Sequence, residues 1–170
     1  MTAVPAPQTI RAAERWLAHD PEKWEPVFGQ DHAQKRTLMP GVKILTPKGA
    51  IAPTGTWSLG ARAGDFVFVA GMRGIDPASN TMLEGEESRI RQAFKNMEAI
   101  AESEGAGLSD CVRLVVYVTD MARLRPLVNR IQQEFWGLGP YPPRTIVEVA
   151  RLNQDDIFEV EGTFYAPPKA

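Results

Sequence analysis

The sequence PPRTIVEVARL at residues 142–152, with DIFEVEG at residues 156–162, decides the fold and the site expected of this chain. Arg144 stands at the mouth of an apolar strand, and the next strand carries glutamates inside it. Burying an ionised group costs free energy unless the group is paired. A guanidinium can hold a carboxylate through two parallel hydrogen bonds, and a nearby glutamate can carry a proton or hold a water. The two segments therefore predict a small site for an organic acid, with acid–base chemistry beside it.

The rest of the pattern predicts an α+β fold with both helices on one face of a sheet. The first helix is expected from Glu86 to Glu104 because apolar residues recur there at helical spacing, and Pro126 requires the second helix to begin close before it. Phe66–Ala70 is nearly continuously apolar, which predicts a strand covered on both faces. The other expected elements are strands or extended segments at Val42–Leu45, Ala52–Leu59, Val112–Val118, Thr145–Val149 and Ile157–Tyr165, and a second helix around Leu124–Phe135.

Alternation along the last expected strand separates its polar and apolar residues. Glu159 and Glu161 fall on one face, and Phe158 and Val160 fall on the other. A solvated sheet face would explain alternating glutamates equally well. Similarly, Arg144 could be a surface arginine paired with Glu148 or Asp156.

Composition indicates a single domain and agrees with a soluble enzyme. The chain has 170 residues, 44% of them hydrophobic, with a net charge of −2, and its pI is about 5.7. One core is expected at this length, and the acidic balance gives no reason to expect nucleic acid as a partner. No apolar run has the length of a membrane span, and the N-terminus lacks a signal-peptide core, so no membrane partner and a cytoplasmic location are expected.

No metal site is expected from the cysteine and histidine content. Cys111 is the single cysteine and lies in an apolar run, which indicates a buried inert thiol. His19 and His32 are isolated from other ligand types and indicate surface residues. Both histidines belong to residues 1–48, an N-terminal extension of different character. Its aromatic residues Trp16, Trp24 and Phe28 suggest that it packs on the core or on a neighbouring subunit.

Together with these segments, several others resemble the Rid (YjgF) family of imine and enamine deaminases. The resemblance covers roughly residues 50–166 and identifies residues 49–170 as a Rid-like domain. The matching segments are PPRTIVEVARL, DIFEVEG, AGDFVFVAG (63–71), DCVRLVVYVTD (110–120) and VNRIQQEFW (128–136). The resemblance implies a chorismate-mutase-like fold that assembles as a homotrimer, with sites between subunits.

The resemblance also implies roles for individual residues. Arg144 would grip the substrate carboxylate, and Glu159, fifteen residues later at the family's spacing, would be the acid–base group. The two are expected on a sheet face that a neighbouring subunit completes. The backbone N–H of Gly71 would approach the substrate, and Asn129 would lie near the site. No metal or organic cofactor is implied.

Three positions depart from the family pattern. Trp57 stands where a tyrosine is common, so a hydroxyl is replaced by apolar area. Met72 and Arg73 stand where family members often have Gln-Ile. Arg73 is either a turn residue or, if it faces the pocket, a second cation that indicates a larger or dicarboxylic substrate. Ile146 replaces a cysteine, which leaves only its backbone N–H as a donor.

Three functions remain open at this point. The first is hydrolysis of 2-imino or 2-enamino acids to 2-keto acids and ammonia. The second is a catabolic deaminase of a larger unsaturated amino acid, in the manner of aminomuconate deaminases, which Trp57, Arg73 and the N-terminal extension favour. The third is a regulatory module that binds keto acids without turnover. Ribonuclease activity, known in some relatives, is disfavoured by the acidic pI and by the absence of histidine from the site region.

Overall fold

A computed structural model describes residues 41–167, which form a six-stranded mixed sheet, a two-stranded ribbon and two α-helices. In chain order the elements are β1 (Val42–Leu45), β2 (Gly60–Ala63), β3 (Phe66–Met72), β4 (Ile75–Asp76), β5 (Thr81–Met82), α1 (Glu86–Glu102), β6 (Cys111–Val118), α2 (Met121–Trp136), β7 (Arg144–Glu148) and β8 (Phe158–Tyr165). The expectations for His19, His32, Trp16, Trp24 and Phe28 lie outside the described residues.

The main sheet has the strand order β1-β2-β3-β8-β6-β7. Every neighbouring pair is antiparallel except β6 and β7, which are parallel. Both helices pack on one face, here called the helix face, and the opposite side is the open face. The predicted α+β class, with two helices on one face of a mixed sheet, is confirmed.

The second strand was predicted in the wrong place. Ala52–Leu59 contains no strand, and β2 instead begins at Gly60. Pro53 cannot donate a ladder hydrogen bond and Gly55 adds backbone freedom, so the earlier segment is a poor strand. The strand that forms is short, with small residues at all but Arg62, and it pairs with β3 across the two-residue turn at Gly64.

The expectation that β3 is covered on both faces is wrong for the single chain. Val67 and Val69 are buried, but Phe66 and Phe68 are 41% and 46% exposed. The two phenylalanines lie on the open face, where the Phe66 ring packs edge-on against Tyr165 at 5.5 Å between centroids. The open face therefore carries a cluster of exposed aromatic rings, the kind of surface that another protein chain commonly covers.

The core between the helices and the sheet is centred on Phe94 of α1. Its ring lies 5.6 Å from that of Phe158 in β8 and 5.3 Å from that of Phe135 in α2, so one side chain joins three elements. Helix α2 begins earlier than predicted because Asp120 caps it, accepting from the N–H of Arg123 at 3.0 Å. As a result Pro126 lies in the second turn, not the first.

Candidate active site

Arg144 begins β7, and two amide side chains of α2 hold its guanidinium. Nη1 donates to Oε1 of Gln132 at 2.5 Å, and Nη2 donates to Oδ1 of Asn129 at 2.7 Å. Neither carboxylate considered as a surface partner contacts it: Glu148 instead accepts from the N–H of Met121, at 2.7 Å, and Asp156 lies near Arg89. Neutral amides therefore fix the guanidinium without neutralising its charge.

The setting of Arg144 suits an anion. Burial, and secondarily the charge of Arg125, lowers the pKa of its guanidinium, which nevertheless stays protonated in proteins. A half-buried cation that has no counter-ion among residues 41–167 gains most from a ligand carboxylate. A cleft of about 440 Å³ opens beside it, lined also by Tyr141 and Pro142.

The backbone at Ile146 is also free for a ligand. Strand β7 is the edge of the sheet, and the carbonyl of Pro143 and the N–H of Val149 both point towards β6. Because backbone groups alternate in direction along a strand, the N–H of Ile146 points away from β6, where no described strand pairs with it. Its side chain packs against the core.

Glu159 lies in β8 on the open face, as the alternation predicts. Its carboxylate rests directly on Gly71 of β3: a Cβ added to that glycine would clash with Oε1 and lie 2.7 Å from the carboxyl carbon. Gly71 therefore makes room for the carboxylate, and only a glycine allows this approach.

The environment of Glu159 favours the protonated form of its carboxyl group. Burial raises its pKa, the positive charge of Arg73 lowers it by less, and the negative charges of Asp156 and Glu161 raise it further. A carboxyl group whose pKa is raised towards neutrality can exchange protons with a substrate.

Trp57, Gly71, Arg73 and Glu159 line one cleft of about 260 Å³. Trp57 is 38% exposed, so it is a wall of this cleft and not a core tryptophan. Arg73 is 6% exposed and lines the same cleft, although its backbone lies in the turn after β3.

Within one chain the structure separates Arg144 from Glu159, and the expectation that they share a sheet face is wrong. Arg144 pairs with Leu114, a buried residue of the helix face, whereas Glu159 pairs with Tyr117 on the open face. Strands β7 and β8 flank β6, and Val147 of β7 is level with Glu159 because both pair with Tyr117. Arg144 is three residues before Val147 and two strand spacings from β8, so the Cα atoms of Arg144 and Glu159 lie roughly 14 Å apart. Asn129 and Ile146 belong to the Arg144 half. Trp57, Gly71 and Arg73 belong to the Glu159 half.

Two buried amides were missed in the sequence. Gln132 is 5% exposed and holds Arg144. Asn96 is equally buried, and its Nδ2 donates to the carbonyls of Arg73 at 3.0 Å and Ile75 at 2.7 Å, which fixes the turn after β3. Each interrupts the apolar stripe of its helix, and a buried polar side chain in such a stripe is the signal that could have found them.

The remaining candidate residues have other surroundings. Glu161 lines a separate cleft on the open face with Phe68 and Arg113. Cys111 is buried, and burial raises the pKa of its thiol to about 11, in agreement with the predicted inert thiol. Among residues 41–167, no helix combines the length and apolarity needed to cross a bilayer.

The chain is similar in sequence to a known protein family and to several of its members. The profile of the family described as Endoribonuclease L-PSP matches residues 47–165. A RutC family protein of Pyrococcus horikoshii is 33% identical over 124 residues, which are 72% of this chain and 97% of that protein. A protein of Dermatophagoides farinae named 2-iminobutanoate/2-iminopropanoate deaminase is 31% identical over 121 residues, 71% of this chain and 93% of that protein.

A solved structure has the same fold. It is a protein of Rhodopseudomonas palustris described as a probable translation initiation inhibitor, 55% identical, with a TM-score of 0.73. The alignment covers 75% of this chain and 99% of that one.

Proposed function

Because the chain belongs to the Endoribonuclease L-PSP family, also known as the Rid or YjgF family, we propose that it hydrolyses 2-imino acids and their 2-enamino tautomers to 2-keto acids and ammonia. The observation that carries the proposal is the guanidinium of Arg144, which Gln132 and Asn129 fix through neutral oxygens beside an open cleft. This arrangement suits the carboxylate that every 2-imino acid carries.

The complete site, in this proposal, forms between subunits of a homotrimer. Arg144 of one subunit binds the carboxylate, and Glu159 of the next subunit approaches the imine carbon. The support is geometric: in one chain the two residues face opposite sides of the sheet, so at least two copies are needed to bring them to one substrate. The exposed rings of Phe66 and Phe68 offer apolar area for such an assembly.

The reaction begins with the iminium form of the substrate, R–C(=NH2⁺)–COO⁻. Water bound to the Glu159 carboxylate adds to C2, the C=N electron pair moves to nitrogen, and Glu159 takes the proton that the water loses. Glu159 then passes this proton to the amine. The C–N bond breaks while Glu159 accepts the hydroxyl proton, which leaves a 2-keto acid and NH3, and that proton finally gives NH4⁺. Orientation by Arg144 and proton transfer by Glu159 supply the acceleration.

RNA cleavage, which the family's name suggests, has less support. The protein is acidic, with a pI of about 5.7, so it offers little attraction for phosphates. Its two histidines are His19 and His32, and neither lies within residues 41–167, where both halves of the site are found.

The proposal predicts that the protein accelerates imine decay. An amino-acid oxidase would generate 2-imino acids from a series of amino acids, and the loss of imine and the appearance of keto acid would be followed with and without the protein. Spontaneous hydrolysis in the same buffer is the control. If no imine decays faster, hydrolysis is excluded, and keto-acid binding without turnover would instead support a regulatory module.

A second prediction concerns Gly71→Ala. The added methyl group would displace the Glu159 carboxylate, and a shift of about 1 Å can cost on the order of 10²-fold in rate. We therefore expect kcat to fall by ~10–10²-fold. The backbone of Gly71 does not have a positive φ, so alanine adds no backbone strain there.

A double variant separates this effect from general damage. If Gly71→Ala acts through Glu159, adding it to Glu159→Gln should cost little more, because the affected group is already disabled. Additive losses would mean that Gly71 contributes independently of Glu159.

A further inference from the structure

Arg73 is a buried cation with an unusual set of partners. Its Nη1 donates to the carbonyl of Asn153 at 2.8 Å and to Oε1 of Gln154 at 3.2 Å, and Nη2 donates to the same Oε1 at 3.3 Å. Among residues 41–167, no carboxylate lies within ion-pair distance of it. All its described acceptors are neutral.

Such a guanidinium has unused binding capacity. It carries five N–H donors, and the described contacts occupy three of them, leaving Nε–H and one proton on Nη2. A buried charge with only neutral partners is costly unless a ligand neutralises it. Asn96 holds the Arg73 carbonyl at 3.0 Å, so the backbone that presents the side chain is fixed in advance.

Arg73 lies where two clefts meet. The cleft with Glu159 and Gly71 has a volume of about 260 Å³. The other, of about 370 Å³, continues past Trp57 towards Asn80 and Gln154. Arg73 lines both clefts. A substrate bound with its imine carbon at Glu159 can therefore extend its far end along Trp57 to this guanidinium.

We propose that Arg73 is a second anion subsite and that the preferred substrates are 2-imino dicarboxylates, the imines of acidic amino acids. The proposal rests on the function proposed above: Arg144 of a neighbouring subunit holds the carboxylate next to the imine, and Arg73 holds the distal one. Arg73 thereby sets specificity and takes no part in proton transfer. Trp57 shields the connecting carbons from water.

The competing explanation is that Arg73 only fastens the Asn153–Asp155 turn to the end of β3. The two explanations differ in selectivity. A structural fastener would affect all substrates alike, whereas an anion subsite affects only those with a distal carboxylate.

The test compares kcat/KM for the imines of glutamate and alanine, each corrected for its spontaneous hydrolysis. We expect the wild-type protein to favour the dicarboxylic imine by ~10–100-fold, the usual range for a charged hydrogen bond. Arg73→Met should lower the ratio of the two values by a similar factor. Arg73→Lys, which keeps the charge and loses the fork, should lower it less.

The matched control is Arg151→Met. It also removes one positive charge near this turn, but Arg151 is 81% exposed and pairs with Asp155 at the surface. For this variant, the ratio of kcat/KM for the glutamate imine to kcat/KM for the alanine imine should equal that of the wild-type protein. An unchanged ratio in Arg73→Met, or an equal loss for both imines, would overturn the subsite.

Two further measurements keep the outcomes distinct. If Arg73→Met does not fold, Gln154→Glu places a carboxylate at the oxygen that Nη1 and Nη2 of Arg73 already contact. It should lower the ratio of the two kcat/KM values by competing with the ligand.

Calorimetry with 2-oxoglutarate and 2-oxobutanoate tests the subsite without catalysis. If neither imine is hydrolysed, the proposed function fails, whereas Arg73-dependent preference for 2-oxoglutarate would still support the subsite and its absence would exclude it.

Discussion

Glu159→Gln is expected to lower kcat by roughly 10²–10⁴-fold while leaving the affinity for a 2-keto acid nearly unchanged. Glutamine has the same shape and can still hold a water, but it cannot take or return a proton near neutral pH. The steps that need a proton acceptor are water addition and collapse to the ketone. Steady-state rates with the imine and calorimetry with the keto acid together separate catalysis from binding.

Glu161→Gln is the control for this variant. Glu161 lies on the same face of β8, two residues further on, but it lines a different cleft. It should have a small effect on kcat, acting only through its charge. A loss comparable to that of Glu159→Gln would mean that the proton relay lies at Glu161 or is shared between the two.

The pH dependence follows from the raised pKa of Glu159. The ordinary value is 4.5, and burial moves the folded-state pKa above it. The rate should therefore fall as the pH drops through this higher value, since water addition needs the ionised carboxylate, and Glu159→Gln should abolish that inflection.

The stability of the fold has the opposite dependence on pH. Between the unfolded-state and folded-state pKa values of Glu159, the folded protein binds more protons than the unfolded chain, so the free energy of unfolding falls as the pH rises through that window. Glu159→Gln should raise Tm at neutral pH relative to the wild-type protein, and the difference should shrink towards pH 4.

Strand β8 shows what the sequence could predict. Its period of two is regular, and Phe158, Val160 and Phe164 are large enough to identify the buried face. The face of Glu159 therefore followed directly from local sequence. Helix α1 was predictable for the same reason, because Ile90, Phe94 and Met97 repeat at helical spacing.

The face of Arg144 could not be predicted in that way. It depends on the register between β7 and β6, where Arg144 pairs with Leu114. That register is set by contacts between segments about thirty residues apart in the chain, and Arg144 begins its strand, so alternation says little about it. The spacing of fifteen residues to Glu159 identified the pair but not its geometry.

The surroundings of Arg73 were hidden for a similar reason. Its acceptors, Asn153 and Gln154, lie about eighty residues further along the chain, and nothing in the sequence near Arg73 predicts them. The same applies to Gln132, whose contact with Arg144 joins a helix to the strand that follows it. Contacts of this kind require the assembled fold.

Mixing two inactive variants is expected to restore activity. Arg144→Ala lacks the carboxylate-binding half and Glu159→Gln lacks the acid–base half, so each alone should retain at most ~10% of wild-type kcat/KM. In a trimer whose sites combine Arg144 of one subunit with Glu159 of the next, every trimer that contains both variants has both native residues in one of its three sites. Subunits would be exchanged by co-expression with two affinity tags, and the doubly tagged trimers would be assayed.

The matched control uses two variants of the same half. Gly71 and Glu159 contact each other within one chain. Mixing Gly71→Ala with Glu159→Gln therefore leaves the acid–base half of every site defective. The activity of the mixture should stay at the average of the two variants. Sedimentation of the wild-type protein must also give a trimer, because a stable monomer at micromolar concentration contradicts a shared site. If activity returns when Glu159→Gln is mixed with Arg144→Ala but not when it is mixed with Gly71→Ala, the two faces of the sheet must meet across the subunit boundary.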